Sequence, residues 1–131
     1  MNILVVDNDE SNRKLLLEFI EMLGHECVTA GSGMEALAQF KEQEFGLILM
    51  DCKMPGMDGP ETVRRMRAEK QASTPASVPI IGLSGEVTPE NEAICLAAGM
   101  NRFVGKPFGL TQLEDVIEQH ASETFCAGNK G

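Results

Sequence analysis

The stretch ILVVDNDE, Ile3 to Glu10, runs four consecutive apolar residues straight into a group of acids. Apolar residues at every position, with no alternation, suit a strand covered on both faces, as inside a parallel sheet. After the acids, Leu16, Phe19, Ile20 and Leu23 recur at helical spacing, and Gly24 follows as a stop. The order is buried strand, polar turn, helix. The turn asks for a cause, because unpaired carboxylates at the end of a buried strand lose hydration and repel one another unless something binds there.

The alternation continues along the chain. Cys27 to Ala30 predicts a second strand, and Ser32 with Glu35 forms a capping box ahead of Met34, Leu37 and Phe40. Phe45 to Met50 predicts a third strand ending at Asp51, and the turn-rich MPGMDGP separates it from a helix over Glu61 to Glu69. QASTPASVP reads as a loop, and Pro79 to Leu83 as a fourth strand ending at Ser84. Pro89 suits the first turn of a helix that stops near Gly99, and Arg102 to Val104 makes a brief fifth strand. Leu110, Leu113, Val116 and Ile117 then mark a last helix. Short strands alternating with helices predict an α/β fold, a doubly wound five-stranded parallel sheet with helices on both faces. From Ser122 the periodicity ends, so residues 1–121 are expected to form one domain and residues 122–131 a C-terminal tail.

Composition narrows the function classes. The 131 residues suffice for one domain of ordinary size, and a hydrophobic content of 43% supplies its core. No apolar run is long enough to cross a bilayer and no export signal opens the chain, so a soluble, cytoplasmic domain without membrane contact is expected. A formal charge of −9 argues against a nucleic-acid surface, and the basic group Arg64, Arg65, Arg67 reads as a solvated helix face. Cys27, Cys52, Cys95 and Cys126 form no CxxC pair, which leaves buried thiols as the expectation over a zinc or thioredoxin-like motif. His25 and His120 stand alone and are expected at the surface.

In a doubly wound sheet, ligands bind beyond the carboxyl ends of the strands. The polar residues that end the predicted strands are Asp7, Asn8 and Asp9 after the first, Asp51 after the third, Ser84 after the fourth and Lys106 after the fifth. Carboxylates and carbonyls converging there suit a hard divalent cation such as Mg²⁺ or Mn²⁺. A lysine and a hydroxyl beside them suit the oxygens of a phosphoryl group, with Asp51 placed to act as the nucleophile.

The ordered set ILVVD, NRKLL, GMEAL, LILMDCKMPGMDG, PIIGLSGE, CLAAGM and FVGKPF resembles the receiver domain of two-component response regulators, above all the receivers of hybrid sensor histidine kinases. The resemblance runs from Asn2 to about His120 and implies a (βα)5, flavodoxin-like receiver fold acting in a signal-transduction phosphorelay. On this resemblance Asp51 is the phosphoacceptor, loaded from a phosphohistidine on a histidine kinase or a histidine phosphotransfer protein. Asp7, Asp51 and the Lys53 carbonyl match metal-site residues, with Asp7 acting through water. Ser84 and Lys106 match the hydroxyl and lysine that meet the phosphoryl group, and Phe103 matches the aromatic switch. Lys53 and Glu86 match the two positions that tune hydrolysis, and the fourth helix, fifth strand and fifth helix match the face that meets a downstream protein. Such a domain is a phosphoacceptor that assists its own phosphorylation and dephosphorylation, not an enzyme in the ordinary sense.

Asn8 departs from that pattern, because it stands where the family has a second acid. An amide oxygen still coordinates a hard cation but brings no charge, so weaker metal affinity is expected, with Asp9 as a replacement ligand. The alternative is a degenerate receiver that works by docking alone. A remote third reading rests on GSGMEA, Gly31 to Ala36, whose Gly31 and Gly33 fit a dinucleotide fingerprint; a capping box with glycines accounts for it better, since it follows the second strand and not the first.

Overall fold

The structure, a computed structural model, describes the backbone of residues 1–130 and the side chains of residues 1–120. In chain order the elements are β1 (Asn2–Val6), α1 (Glu10–Met22), β2 (Glu26–Ala30), α2 (Gly33–Glu42), β3 (Leu47–Asp51), α3 (Gly59–Ala68), β4 (Ile80–Ser84), α4 (Pro89–Ala98), β5 (Arg102–Gly105) and α5 (Leu110–Lys130). The five strands pair in parallel in the order β2-β1-β3-β4-β5. The uniformly apolar runs are the three inner strands. Successive residues of a strand point to opposite faces, so Leu4 and Val6 enter a core shared with α2, α3 and α4, while Ile3 and Val5 enter one shared with α1 and α5. Two cores on two faces are why these strands show no alternation.

Several boundaries differ from the sequence reading for local reasons. β3 begins at Leu47; Phe45 is buried but belongs to the turn before it, its N–H donated to the Thr74 hydroxyl at 3.1 Å. α3 begins at Gly59 rather than Glu61, because the Asp58 carboxylate caps it by accepting from the Glu61 N–H at 3.0 Å. The Ser32 hydroxyl caps α2 as expected, but Glu35 accepts from the Gly31 N–H at 2.6 Å, one residue before the cap. Beyond Ser122, where an irregular tail is expected, the backbone continues as α5 to Lys130; a formed helix propagates by local i to i−4 bonds that need no apolar face. Cys126 falls among the residues whose side chains are not described.

Three surface expectations are also corrected. His120 is buried, because it extends the inward row of Leu113, Val116 and Ile117 on α5. His25 is half-buried, its ring Nδ1 lying 2.8 Å from the amino group of Met1. Arg64 and Arg65 lie on a solvated face and pair with Glu61, but Arg67 turns inward and donates to the carbonyls of Ala76, Val78 and Gly99. No helix among the described residues is long and apolar enough to cross a membrane.

Candidate functional site

Parallel strands put their carboxyl ends on one edge, and there the sheet gathers Asp7, Asp51, Ser84 and Lys106. Asp7 follows β1, Asp51 ends β3, Ser84 ends β4 and Lys106 follows β5. The Lys106 ammonium bridges the two carboxylates, 3.2 Å from Asp7 Oδ2 and 3.3 Å from Asp51 Oδ1. Both acids are almost fully buried, so the lysine offsets charge that water does not reach.

Electrostatics at Asp51 follow from that crowding. Burial first, and the Asp7 charge second, raise the Asp51 pKa; Lys106 and the Lys53 N–H, which donates to Asp51 Oδ1 at 3.2 Å, pull the other way without cancelling them. For Lys106, burial alone would favour the neutral amine, but the Asp51 and Asp7 charges outweigh it and hold the ammonium above its ordinary value. The cluster has one acid more than its lysine neutralises.

Asp7 is held in place by Asp9 and by two residues, Asn12 and Arg13, that the sequence reading did not single out. Asn12 Nδ2 donates to Asp7 Oδ2, Arg13 donates to the Asp7 carbonyl at 2.6 Å, and the Asp9 N–H donates to Asp7 Oδ1 at 2.9 Å. Asn12 and Arg13 lie in the first turn of α1, folded back over the strand end. The signal available in the sequence was their spacing of three and four residues beyond the capping acid Asp9. Asp9 itself caps α1, its Oδ1 accepting from the Ser11 N–H at 3.0 Å, and it lies at the surface with Asn8.

Gly59 is a third residue missed. A Cβ there would fall 2.3 Å from the Asp51 carbonyl, so only glycine lets the start of α3 press against the end of β3. Gly85 differs: nothing lies within 4 Å of a Cβ built on it, which leaves open space beside Ser84 for a ligand. Gly33 is packed shut, since a Cβ would meet the Thr62 hydroxyl at 2.3 Å and the Met57 carbonyl at 2.9 Å. That close packing against α3 explains Gly33 of GSGMEA without a dinucleotide.

Around the cluster, the Ser84 hydroxyl is engaged with its own loop, donating to the Glu86 carbonyl at 3.0 Å and accepting from the Glu86 N–H at 3.1 Å. Lys53 and Glu86 face each other at 3.0 Å across the mouth, both well exposed. Phe103 on β5 is half-buried against the core beneath α4.

The donors suit a hard cation in kind: carboxylate, amide and carbonyl oxygens beside two acids that repel each other. Asp51, the Lys53 carbonyl and Asn8 are the residues that could supply such oxygens, with Asp7 behind them; Asn8 itself is exposed. Among the described residues no group of three or more His, Cys, Asp or Glu is arranged around one point.

A family model for the response regulator receiver domain matches residues 3–118. The sensor histidine kinase RcsC of Escherichia coli strain K12 is 35% identical over 119 residues, covering 91% of this chain and 12% of that protein. The sensory/regulatory protein RpfC of Xanthomonas campestris is 32% identical over 124 residues, covering 95% of this chain and 17% of that protein. The chain thus spans less than a fifth of the length of these curated relatives. Among solved structures, the receiver domain of sensor histidine kinase PA1611 from Pseudomonas aeruginosa, which has a magnesium ion in its active site cleft, superposes with a TM-score of 0.81 at 30% identity over 90% of this chain and 94% of that one. The chemotaxis protein CheY4 of Vibrio cholerae gives a TM-score of 0.82 at 31% identity over 90% and 96%.

Proposed function

This chain belongs to the response regulator receiver family of two-component signalling, and from that premise we propose that Asp51 is its phosphoacceptor. The observation that carries the proposal is the Lys106 ammonium set between Asp51 and Asp7, with open space beside Gly85 next to it. An Asp51 carboxylate oxygen attacks the phosphorus of a phosphohistidine on a histidine kinase or phosphotransfer protein; the P–N bond breaks, the imidazole leaves, and an acyl phosphate forms. Lys106 keeps Asp51 ionised and then meets the phosphoryl oxygens. Mg²⁺, or Mn²⁺, would be held by Asp51, Asn8 and the Lys53 carbonyl, with Asp7 through water, and would supply positive charge against the incoming phosphoryl.

The switch follows from where Ser84 now points. Its hydroxyl is held by Glu86, so contact with a phosphoryl group requires that bond to break and the loop before α4 to shift. Phe103 lies beneath the same helix and moves with it, changing the face of α4, β5 and α5 that meets a downstream protein. Lys53 and Glu86 close the mouth against attacking water and so lengthen the life of the phosphoryl group. The receiver unit is residues 1–121; the family match ends three residues earlier, at residue 118.

Incubation with acetyl phosphate across a range of Mg²⁺ concentrations, followed by intact mass, tests the proposal. Expected is one phosphoryl group per chain, absent in Asp51→Asn and reached at lower Mg²⁺ in Asn8→Asp. Asn8, in the place of a second acid, favours a second reading, in which the domain docks without phosphorylation; among the described residues no group of three or more His, Cys, Asp or Glu surrounds one point. No labelling of the natural sequence at any Mg²⁺, with partner binding unaffected by Asp51→Asn, would establish that reading instead.

A further inference from the structure

Cys52 and Cys95 stand 43 residues apart in the chain, yet their Sγ atoms lie 3.0 Å from each other. Cys52 directly follows Asp51; Cys95 lies in α4. Both are buried in the core on the α4 side, and the phosphoryl chemistry above uses neither. Gly82 backs the pair from the sheet, where a Cβ would come within 3.2 Å of Cys52 Sγ. On the other side a crevice of about 130 Å³ opens between the end of β3 and α4, lined in part by Cys52, Lys53, Ser84, Ile94 and Cys95. A space of that size admits a molecule as small as water or hydrogen peroxide.

We propose that Cys52 and Cys95 form a redox modification site, in which a peroxide-class oxidant joins them in a disulfide that ties α4 to the residue after the phosphoacceptor. One sulfur attacks a peroxide oxygen, the O–O bond breaks, water leaves and a sulfenic acid forms. The other sulfur displaces the sulfenic oxygen as a second water and completes the S–S bond, so two thiols and one hydrogen peroxide give one disulfide and two waters. The sulfurs approach by roughly 1 Å to bond. Both thiols are buried, so only a small oxidant that enters the crevice reaches them.

The consequence for signalling rests on the phosphoacceptor reading. Asn91 in α4 donates to the same Glu86 carbonyl that holds the Ser84 hydroxyl, at 3.0 Å. A tether from α4 to Cys52 therefore resists the loop shift that frees Ser84, and oxidised protein takes up phosphoryl groups several-fold more slowly.

The test uses the Cys27→Ser, Cys126→Ser double variant, which leaves the pair as its only thiols. The folded protein is treated with hydrogen peroxide, then unfolded, alkylated and mapped, with Cys95→Ser and Cys95→Ala added in parallel. Expected is a loss of two hydrogens in intact mass, a linked Cys52–Cys95 peptide reversed by dithiothreitol, and no link in either Cys95 variant. Two alkylatable thiols after treatment, or oxygen added to one cysteine without a link, would overturn the site. Because the disulfide is read without a phosphodonor, failure of Asp51 labelling in reduced protein would count against the phosphoacceptor reading alone. Equal labelling rates of oxidised and reduced protein would overturn the tether's effect.

Discussion

The two ends of the sheet each place a cationic side chain among oxygens, and they do so to opposite effect. At the amino end of β4, the half-buried Arg67 guanidinium donates to the carbonyls of Ala76, Val78 and Gly99 and to Asn101 Oδ1, at 2.6 to 3.0 Å. These acceptors are neutral, and the cation satisfies carbonyls that neither a strand nor a helix would use. At the carboxyl end, Lys106 faces two buried carboxylates, which it bridges but does not fully neutralise. One end is balanced in its hydrogen bonds and holds α3, α4 and β4 together, though burial without an acid beside it lowers the Arg67 pKa; the other keeps an excess of acid that a divalent cation or a rearrangement would relieve. Stability and readiness to react are thereby placed on opposite edges of one sheet.

The largest expected effect would break the balanced end. Arg67→Ala orphans carbonyls at three backbone positions and should cost about 3 kcal/mol in urea denaturation, with the Asp51 labelling rate of the folded fraction unchanged. A loss below about 0.5 kcal/mol would mean that water replaces the guanidinium there and that the two ends do not differ as described.

Asp51→Asn sharpens the contrast in the other direction. Asp51 has a folded pKa above its unfolded value, so its ionisation in the folded protein costs stability that begins as pH rises past the ordinary carboxylate pKa and is complete above the raised one. The amide should therefore raise Tm by a few degrees at neutral pH and confer little at a pH below the ordinary value. Thermal melts across that window check the sign; a variant less stable than the natural protein at neutral pH would show that Lys106 more than offsets the burial of Asp51.

The smallest stability effect is expected at the mouth. Lys53 and Glu86 are both about two-thirds exposed, so Lys53→Ala should change stability by less than about 0.5 kcal/mol. It should nevertheless shorten the phosphoryl lifetime, because the attacking water gains access. An unchanged lifetime would assign the pair to the surface and leave the reactive end without a gate.

Much of this was legible before any contact was known. Ile3 to Val6, Leu47 to Met50 and the short run at Ile80 and Ile81 are apolar throughout because both faces of each strand meet helices, and that pattern is local in the chain. Asp7, Asp51, Ser84 and Lys106 were legible too, since a polar residue directly after such a run must lie at the sheet's carboxyl edge. Arg67 and His120 were misread for different reasons: the Arg67 side chain reaches across the fold and leaves no periodic trace, whereas His120 lies on the row of Leu113, Val116 and Ile117 and only its polar type set it apart from that apolar row.

By itself, then, the order of apolar runs and polar stops determined a parallel α/β sheet and named the residues at its reactive edge. The tertiary structure alone decided that Lys106 stands between Asp7 and Asp51, that Gly59 lets α3 touch the end of β3, and that Cys52 and Cys95 meet. The reason is the range of the forces involved. Strand and helix preferences are read from neighbours a few residues apart, whereas Lys106 and Asp7 are separated by 99 residues, and their pairing depends on every strand that the sheet places between them.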